Sequence, residues 1–103
     1  MSDNYVWIGI ATFRPSSKNK TDKFKLASAN IIFIAENESE FKHLVKKQLS
    51  AWGFIMIEMQ DVELFNFDNP DGYKDNLYNL AMEVMETKNM RWGTFYVLDE
   101  NDQ

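Results

Sequence analysis

Hydrophobic residues near the start of the chain occupy both alternating sets of positions. In residues 5–13 (YVWIGIATF), the apolar side chains are Val6, Ile8 and Ile10 on one face and Tyr5, Trp7 and Phe13 on the other. A strand that is apolar on both faces is typical of the middle of a sheet. Residues 24–35 begin with polar alternation and end in a β-branched run, which predicts a second strand that becomes buried towards its end.

The pattern then changes to a helical period. Asn37 can cap a helix, and Glu40 stands at the spacing of a capping box. One apolar stripe follows at helical spacing: Phe41, Leu44, Val45, Leu49 and Trp52. Gly53 is placed to end this helix. A second stripe predicts a helix over residues 73–87: Tyr73, Leu77, Leu80, Ala81 and Val84.

Two further strands are predicted, over residues 54–67 and 91–98. In the first of these, the apolar face switches from odd to even positions near Asp61, which indicates a bulge or a break there. We therefore expect a single α+β domain over residues 1–103, in the order ββαβαβ. The expected architecture is one mixed four-stranded sheet with both helices packed on one face, and a ferredoxin-like arrangement is the nearest named topology.

Charge is divided along the chain. Residues 1–35 carry a formal +3 and residues 36–103 a formal −8, which together give the net charge of −5. Residues 58–75 contain six acidic residues and one lysine. Concentrated negative charge attracts basic proteins and repels nucleic acid. No run of residues approaches the ~18–20 apolar positions of a membrane helix, and no signal-peptide pattern is present, so we expect a cytoplasmic protein without a membrane or nucleic-acid partner.

Few residues in the sequence are candidates for catalysis or for metal binding. His43 is the one histidine and there is no cysteine, so the sequence predicts no catalytic residue, no metal site and no cofactor. Residues 68–75 resemble a calcium loop in part, but Pro70 occupies a ligand position and Asn79 falls where the bidentate glutamate belongs. The basic segment over residues 14–25 is interpreted as a solvated connection, with phosphate binding or contact with the acidic face of another copy as alternatives.

Most aromatic residues are expected in the core, namely Trp7, Trp52, Trp92, Phe95 and Tyr96. Phe65 and Phe67 differ because they stand within the acidic stretch, where an exposed ring surrounded by carboxylates would suit a basic protein partner. The predicted partner-binding residues are Glu58, Asp61, Glu63, Phe65, Phe67, Asp68, Asp71 and Asp75.

The chain resembles the immunity proteins of bacterial toxin systems, including those of contact-dependent growth inhibition. The resemblance lies in size, acidity, the absence of cysteine and the α+β pattern, with Trp7-Ile8-Gly9 near the start and the segment RWGTFY (residues 91–96) near the end. It implies a cytoplasmic inhibitor, not an enzyme, which binds a basic toxin domain such as a nuclease and covers its active site. Residue roles cannot be transferred from that family to this chain.

Two alternatives remain open. The chain could be a homodimeric regulatory or interaction module, since residues 24–35 and 54–67 would both offer long strand edges if they lay outermost. It could instead be a small enzyme that uses His43 with a carboxylate. We expect a monomer in complex with the partner, with a homodimer as the other possibility.

Overall fold

The computed structural model describes residues 5–17, 25–73 and 77–98. The strands are β1 (Tyr5–Pro15), β2 (Ala27–Ala35), β3 (Phe54–Leu64), β4 (Arg91–Trp92) and β5 (Tyr96–Val97). The helices are α1 (Glu38–Ala51) and α2 (Leu77–Thr87), and a short 3-10 helix spans Pro70–Gly72. The predicted α+β class and the predicted order of elements are confirmed.

The sheet is antiparallel at every described pairing, whereas a mixed sheet was expected. Its strand order is β3-β1-β2-β4, with β5 also paired to β2. The strand β1 therefore lies between β2 and β3, which confirms the central position predicted from its two apolar faces. The last predicted strand is divided, because β4 and β5 pair with β2 in registers that differ by one residue around Gly93.

The two helices contact alternate side chains of the central strands. Helix α1 packs with Ala11, Phe13 and odd-numbered residues of β2, while α2 packs with Val6, Ile8 and even-numbered residues. The register of β1 on β2 is uninterrupted, so odd and even residues point to opposite faces of the sheet. The contacts thus divide the helices between the two faces, whereas the sequence predicted one shared face. We call the two sides the α1 face and the α2 face.

Helix α1 begins as its sequence predicts. The side chain of Asn37 accepts a hydrogen bond of 2.8 Å from the backbone N–H of Glu40. The Glu40 carboxylate in turn accepts one of 2.7 Å from the N–H of Glu36, one residue before the usual position in a capping box. Gly53, with φ of 91°, follows the end of the helix in a conformation that favours glycine.

Strand β3 contains two bulges against β1. Ile8 pairs with Glu63 and Ile10 with Gln60, so Asp61 and Val62 together stand opposite Gly9. A second shift lies between Thr12 and Phe13, where Ile57 is the extra residue of β3. The bulge predicted near Asp61 is thereby confirmed, and a bulge at Ile57 is added to it.

Gly9 has no room for a side chain. A Cβ atom at this position would lie 2.8 Å from Met59 Cε, 2.9 Å from Val62 Cγ2 and 3.2 Å from a ring carbon of Phe41. The glycine therefore allows β1, the bulged part of β3 and helix α1 to meet closely.

We predict that Gly9→Ala lowers the free energy of unfolding by about 1–3 kcal/mol, because the new methyl group overpacks the core on the α1 face. Urea denaturation followed by circular dichroism measures the change. Gly72→Ala is the matched control, since its Cβ would meet only the side chain of Asn69, which is exposed and can rotate away. Equal stability of Gly9→Ala and the wild type would contradict the packing described for Gly9.

Candidate functional site

The acidic side chains of β3 project from the α2 face. Residues directly opposite one another in a ladder share a face, and Glu58 and Glu63 pair with Thr12 and Ile8 of β1. Ile8 contacts the α2 core, so both glutamates belong to that side of the sheet. Both are exposed, because β3 is an edge strand and α2 does not cover it.

Asp61 lies in the first bulge with φ of 56°, one of two non-glycine residues in the described part of the chain with positive φ. Aspartate and asparagine adopt this left-handed conformation more readily than most residues. The bulge also changes which side chains of β3 face inward. Asp61 as a result lines the same depression as Glu63.

This depression is a cleft of about 550 Å³ between β3, β1 and the start of α2. We call it the β3–α2 cleft. Its lining residues are Ile8, Ile10, Asn30, Asp61, Glu63, Gly72, Tyr73, Leu77 and Tyr96. It exists because α2 covers the α2 face only near Val6, Ile8 and Ile32, so the rest of the sheet surface stays open.

The segment after β3 forms one wall of the cleft and is held by hydrogen bonds. The N–H of Phe65 donates to the carbonyl of Val6 at 2.8 Å, and the N–H of Asn66 donates to the hydroxyl of Tyr73 at 2.7 Å. The N–H of Asp68 donates to the side chain of Asn66 at 3.0 Å. Asp68 and Asp71 are exposed on this segment, close in sequence to the cleft residues Gly72 and Tyr73.

Within the described part of the chain, no cation forms an ion pair with these carboxylates. Among the described residues, the ion pairs are Lys42–Glu38 at 3.1 Å and Arg91–Glu83 at 3.0 Å. Neither pair includes an acidic residue of β3 or of the segment that follows it. No described cation therefore pairs with the negative charge on this surface.

The two phenylalanines of the acidic stretch have different positions. Phe65 is 6% exposed and its ring stacks on that of Tyr73 with centroids 4.1 Å apart, so it belongs to the core on the α2 face. Phe67 is half-buried beside it, with centroids 4.8 Å apart. Of the two aromatic residues proposed for partner binding, Phe67 is the one with surface available for contact. Asp75, the last of the predicted binding residues, lies outside the described residues.

His43 is exposed on the outer side of α1, where it lines a shallow depression with Lys46, Lys47 and Ser50. The lining contains no carboxylate that could orient the imidazole. In residues 5–17, 25–73 and 77–98, no three histidine, cysteine, aspartate or glutamate side chains are grouped closely enough to hold a metal ion. The outer side of α1 is thus basic, while the acidic strand β3 carries its glutamates on the opposite face.

Several aromatic residues that were predicted to lie in the core are exposed. Trp52, Trp92, Phe95 and Tyr96 are 39–50% exposed, although all four were expected in the core. Trp52 is the C-cap residue of α1 and packs edge-on against Trp92 at 4.7 Å. With Phe95 and Phe54 they surround an apolar pocket of about 200 Å³ on the α1 face. The position of Trp52 directly before Gly53 was a signal that this residue lies beyond the regular helix.

Only one of the two strands considered for edge-to-edge pairing in a homodimer lies at an edge of the sheet. Strand β2 is paired on both sides, so β3 alone of the two candidates is an edge strand. Its two bulges leave regular ladder segments of only two or three residues, which makes it a poor template for another strand. Binding through side chains on the faces is thus favoured over pairing through this edge.

Comparisons with protein families, curated proteins and solved structures found no match for this chain. Within the described residues, no helix is long and apolar enough to cross a membrane.

We predict that Phe65→Ala lowers the free energy of unfolding by about 3–5 kcal/mol, because it leaves a cavity beside Tyr73. Phe67→Ala is the matched variant and should cost about 1–2 kcal/mol, since its ring is only half-buried. Thermal and urea unfolding of both variants measures the difference. A smaller loss for Phe65→Ala than for Phe67→Ala would contradict the assignment of Phe65 to the core.

Proposed function

We propose that this chain is a small acidic binding protein that neutralises a basic toxin domain, such as a nuclease, by covering its active site. The observation that carries the proposal is the surface formed by β3 and the segment after it. Glu58, Asp61, Glu63, Asp68 and Asp71 are all exposed there, and no described ion pair includes any of them.

Electrostatic complementarity gives this surface its role. Enzymes that act on nucleic acids hold their polyanionic substrate with lysine and arginine, so a cluster of carboxylates can occupy the same positions. Opposite charges raise the rate of association well above that of neutral partners and penalise partners of the same sign. In this proposal Phe67 and the cleft residues supply contact area next to the carboxylates.

The proposal includes further expectations that follow from the sequence. The chain acts in the cytoplasm, has no catalytic activity and no cofactor, and binds its partner as a monomer. Nucleic acid is not a partner, because the carboxylates exposed on this surface would repel its phosphates. Catalysis by His43 has the least support, since the lining of its depression offers no acidic residue.

A homodimeric interaction module is the second candidate. The exposed rings of Trp52, Trp92 and Phe95 favour it, because large apolar side chains grouped on a surface often mark a protein interface. Light scattering at micromolar concentration distinguishes the candidates. A mass near the 12.1 kDa of one chain agrees with the inhibitor in its monomeric form, and twice that mass supports the dimer.

The proposed activity is tested by expressing the polypeptide encoded immediately upstream of this chain, with and without the chain, in one bacterial host. Growth arrest by that polypeptide and relief by the chain are the expected results. Absence of arrest, or arrest that the chain does not relieve, contradicts the proposal.

The role of the acidic surface is tested by charge reversal. We predict that Glu63→Lys with Asp68→Lys lowers the rate of association with the purified partner about tenfold at low salt, because two attractive charges become repulsive and the overall attraction is weakened. The dependence of the rate on salt should also become shallower. Stopped-flow fluorescence at several salt concentrations measures both quantities.

Glu36→Lys with Glu86→Lys is the matched control, since it changes the net charge equally at two exposed residues away from β3. Its effect on the rate should be much smaller. If both double variants lowered the association rate equally, the attraction would depend on net charge alone. That result would contradict a specific role of the acidic surface.

A further inference from the structure

We propose that the β3–α2 cleft is the binding site for an arginine side chain of the basic partner. The inference rests on the proposed function for the identity of the partner, but the cleft can be tested without it. The cleft combines an apolar floor, tyrosine rings and two carboxylates that form no ion pair with any described residue.

The volume of the cleft suits a side chain together with its backbone. At about 550 Å³ it lies within the range of roughly 300–1,000 Å³ that is usual for ligand sites. The apolar pocket beside Trp52 has only about 200 Å³ and no charged residue in its lining. The larger cavity is therefore the one equipped to select a ligand by charge.

The lining requires a ligand that is apolar along its length and positive at its end. Ile8, Ile10 and Leu77 provide apolar surface, on which the methylene stem of a long basic side chain can pack. Asp61 and Glu63 provide the negative charge, and neither takes part in an ion pair among the residues described. An anionic ligand would be repelled, and a neutral one would leave the carboxylates without a counter-charge.

Arginine fits this lining better than lysine or a metal ion. A planar guanidinium can donate several hydrogen bonds to carboxylates and can also stack on aromatic rings, here those of Tyr73 and Tyr96. A calcium ion needs six to eight oxygen ligands. The described lining supplies two carboxylates and one amide side chain, from Asn30, among apolar and aromatic residues.

The test is a titration of the isotopically labelled protein with N-acetyl-arginine amide, followed by backbone amide chemical shifts. We expect saturable shifts confined to the cleft residues, about tenfold weaker binding of N-acetyl-lysine amide and no saturable shift with N-acetyl-citrulline amide, which has the shape of arginine without its charge. Absence of saturation with the arginine probe, or equal shifts with citrulline, overturns the proposal.

Two pairs of variants locate the site. Asp61→Asn keeps a residue that accepts positive φ, and Glu63→Gln keeps the length of the side chain, so both should retain the fold. Each should weaken binding of N-acetyl-arginine amide roughly tenfold, as expected for loss of a charge-assisted hydrogen bond. The matched controls Glu36→Gln and Glu86→Gln remove equal charge at exposed residues outside both the cleft lining and the acidic surface of β3, and should leave the affinity within twofold.

Equal weakening by all four variants would mean diffuse attraction to a negative surface, and would overturn the site. The outcome is also separable from the proposed function. Binding of the arginine probe in the cleft, combined with failure to relieve toxin arrest, would retain the site and reject the toxin partner. The double variant Asp61→Asn with Glu63→Gln could also relieve arrest as effectively as the wild type does. That result would retain the proposed function and reject the role of the cleft in toxin binding.

Discussion

The structure depends on one constraint, which is that β1 is apolar on both faces and must be covered on both. Val6 and Ile8 require partners on one side, and Ala11 and Phe13 require them on the other. Hydrogen bonds to β2 and β3 satisfy the backbone of β1 but cover neither face. The helices do this, one on each side, and burial of these side chains is the main source of stability that the fold has available.

The lengths of the elements explain why a cleft remains. Strand β1 has 11 residues and extends about 36 Å, whereas α2 also has 11 residues but is only about 16 Å long. A helix of that length is less than half as long as β1, so it leaves part of the α2 face uncovered. On the α2 face the uncovered part carries polar and acidic residues, and on the α1 face it is bordered by Trp52 and Trp92. The two depressions therefore differ in chemical character, one being lined in part by carboxylates and the other by apolar and aromatic residues.

Local features of the fold could be predicted from the sequence, and non-local ones could not. The cap at Asn37, the end of α1 at Gly53 and the bulge near Asp61 depend on a few neighbouring residues, and each was predicted correctly. The antiparallel pairing and the division of the helices between two faces depend on contacts between distant segments, for which hydrophobic periodicity carries no signal.

The same distinction applies to the candidate site. The exposed carboxylates of β3 were named from the sequence, because acidic residues seldom lie in a core. The burial of Phe65 was not foreseen, since it depends on stacking with Tyr73 from a separate segment. Nor did the sequence indicate that Asn30, Leu77 and Tyr96 would join Asp61 and Glu63, because three different elements and a bulge bring them together.

The placement of charge on the two faces has a consequence for the orientation that the described elements favour near another charged body. The outer side of α1 carries Lys46 and Lys47, and the α2 face carries Glu58 and Glu63. Such a separation across the sheet gives these described elements an electric dipole, so the field of a basic body exerts a torque on them as well as an attraction. The contribution of these elements to the torque favours encounters in which the α2 face is turned towards that body.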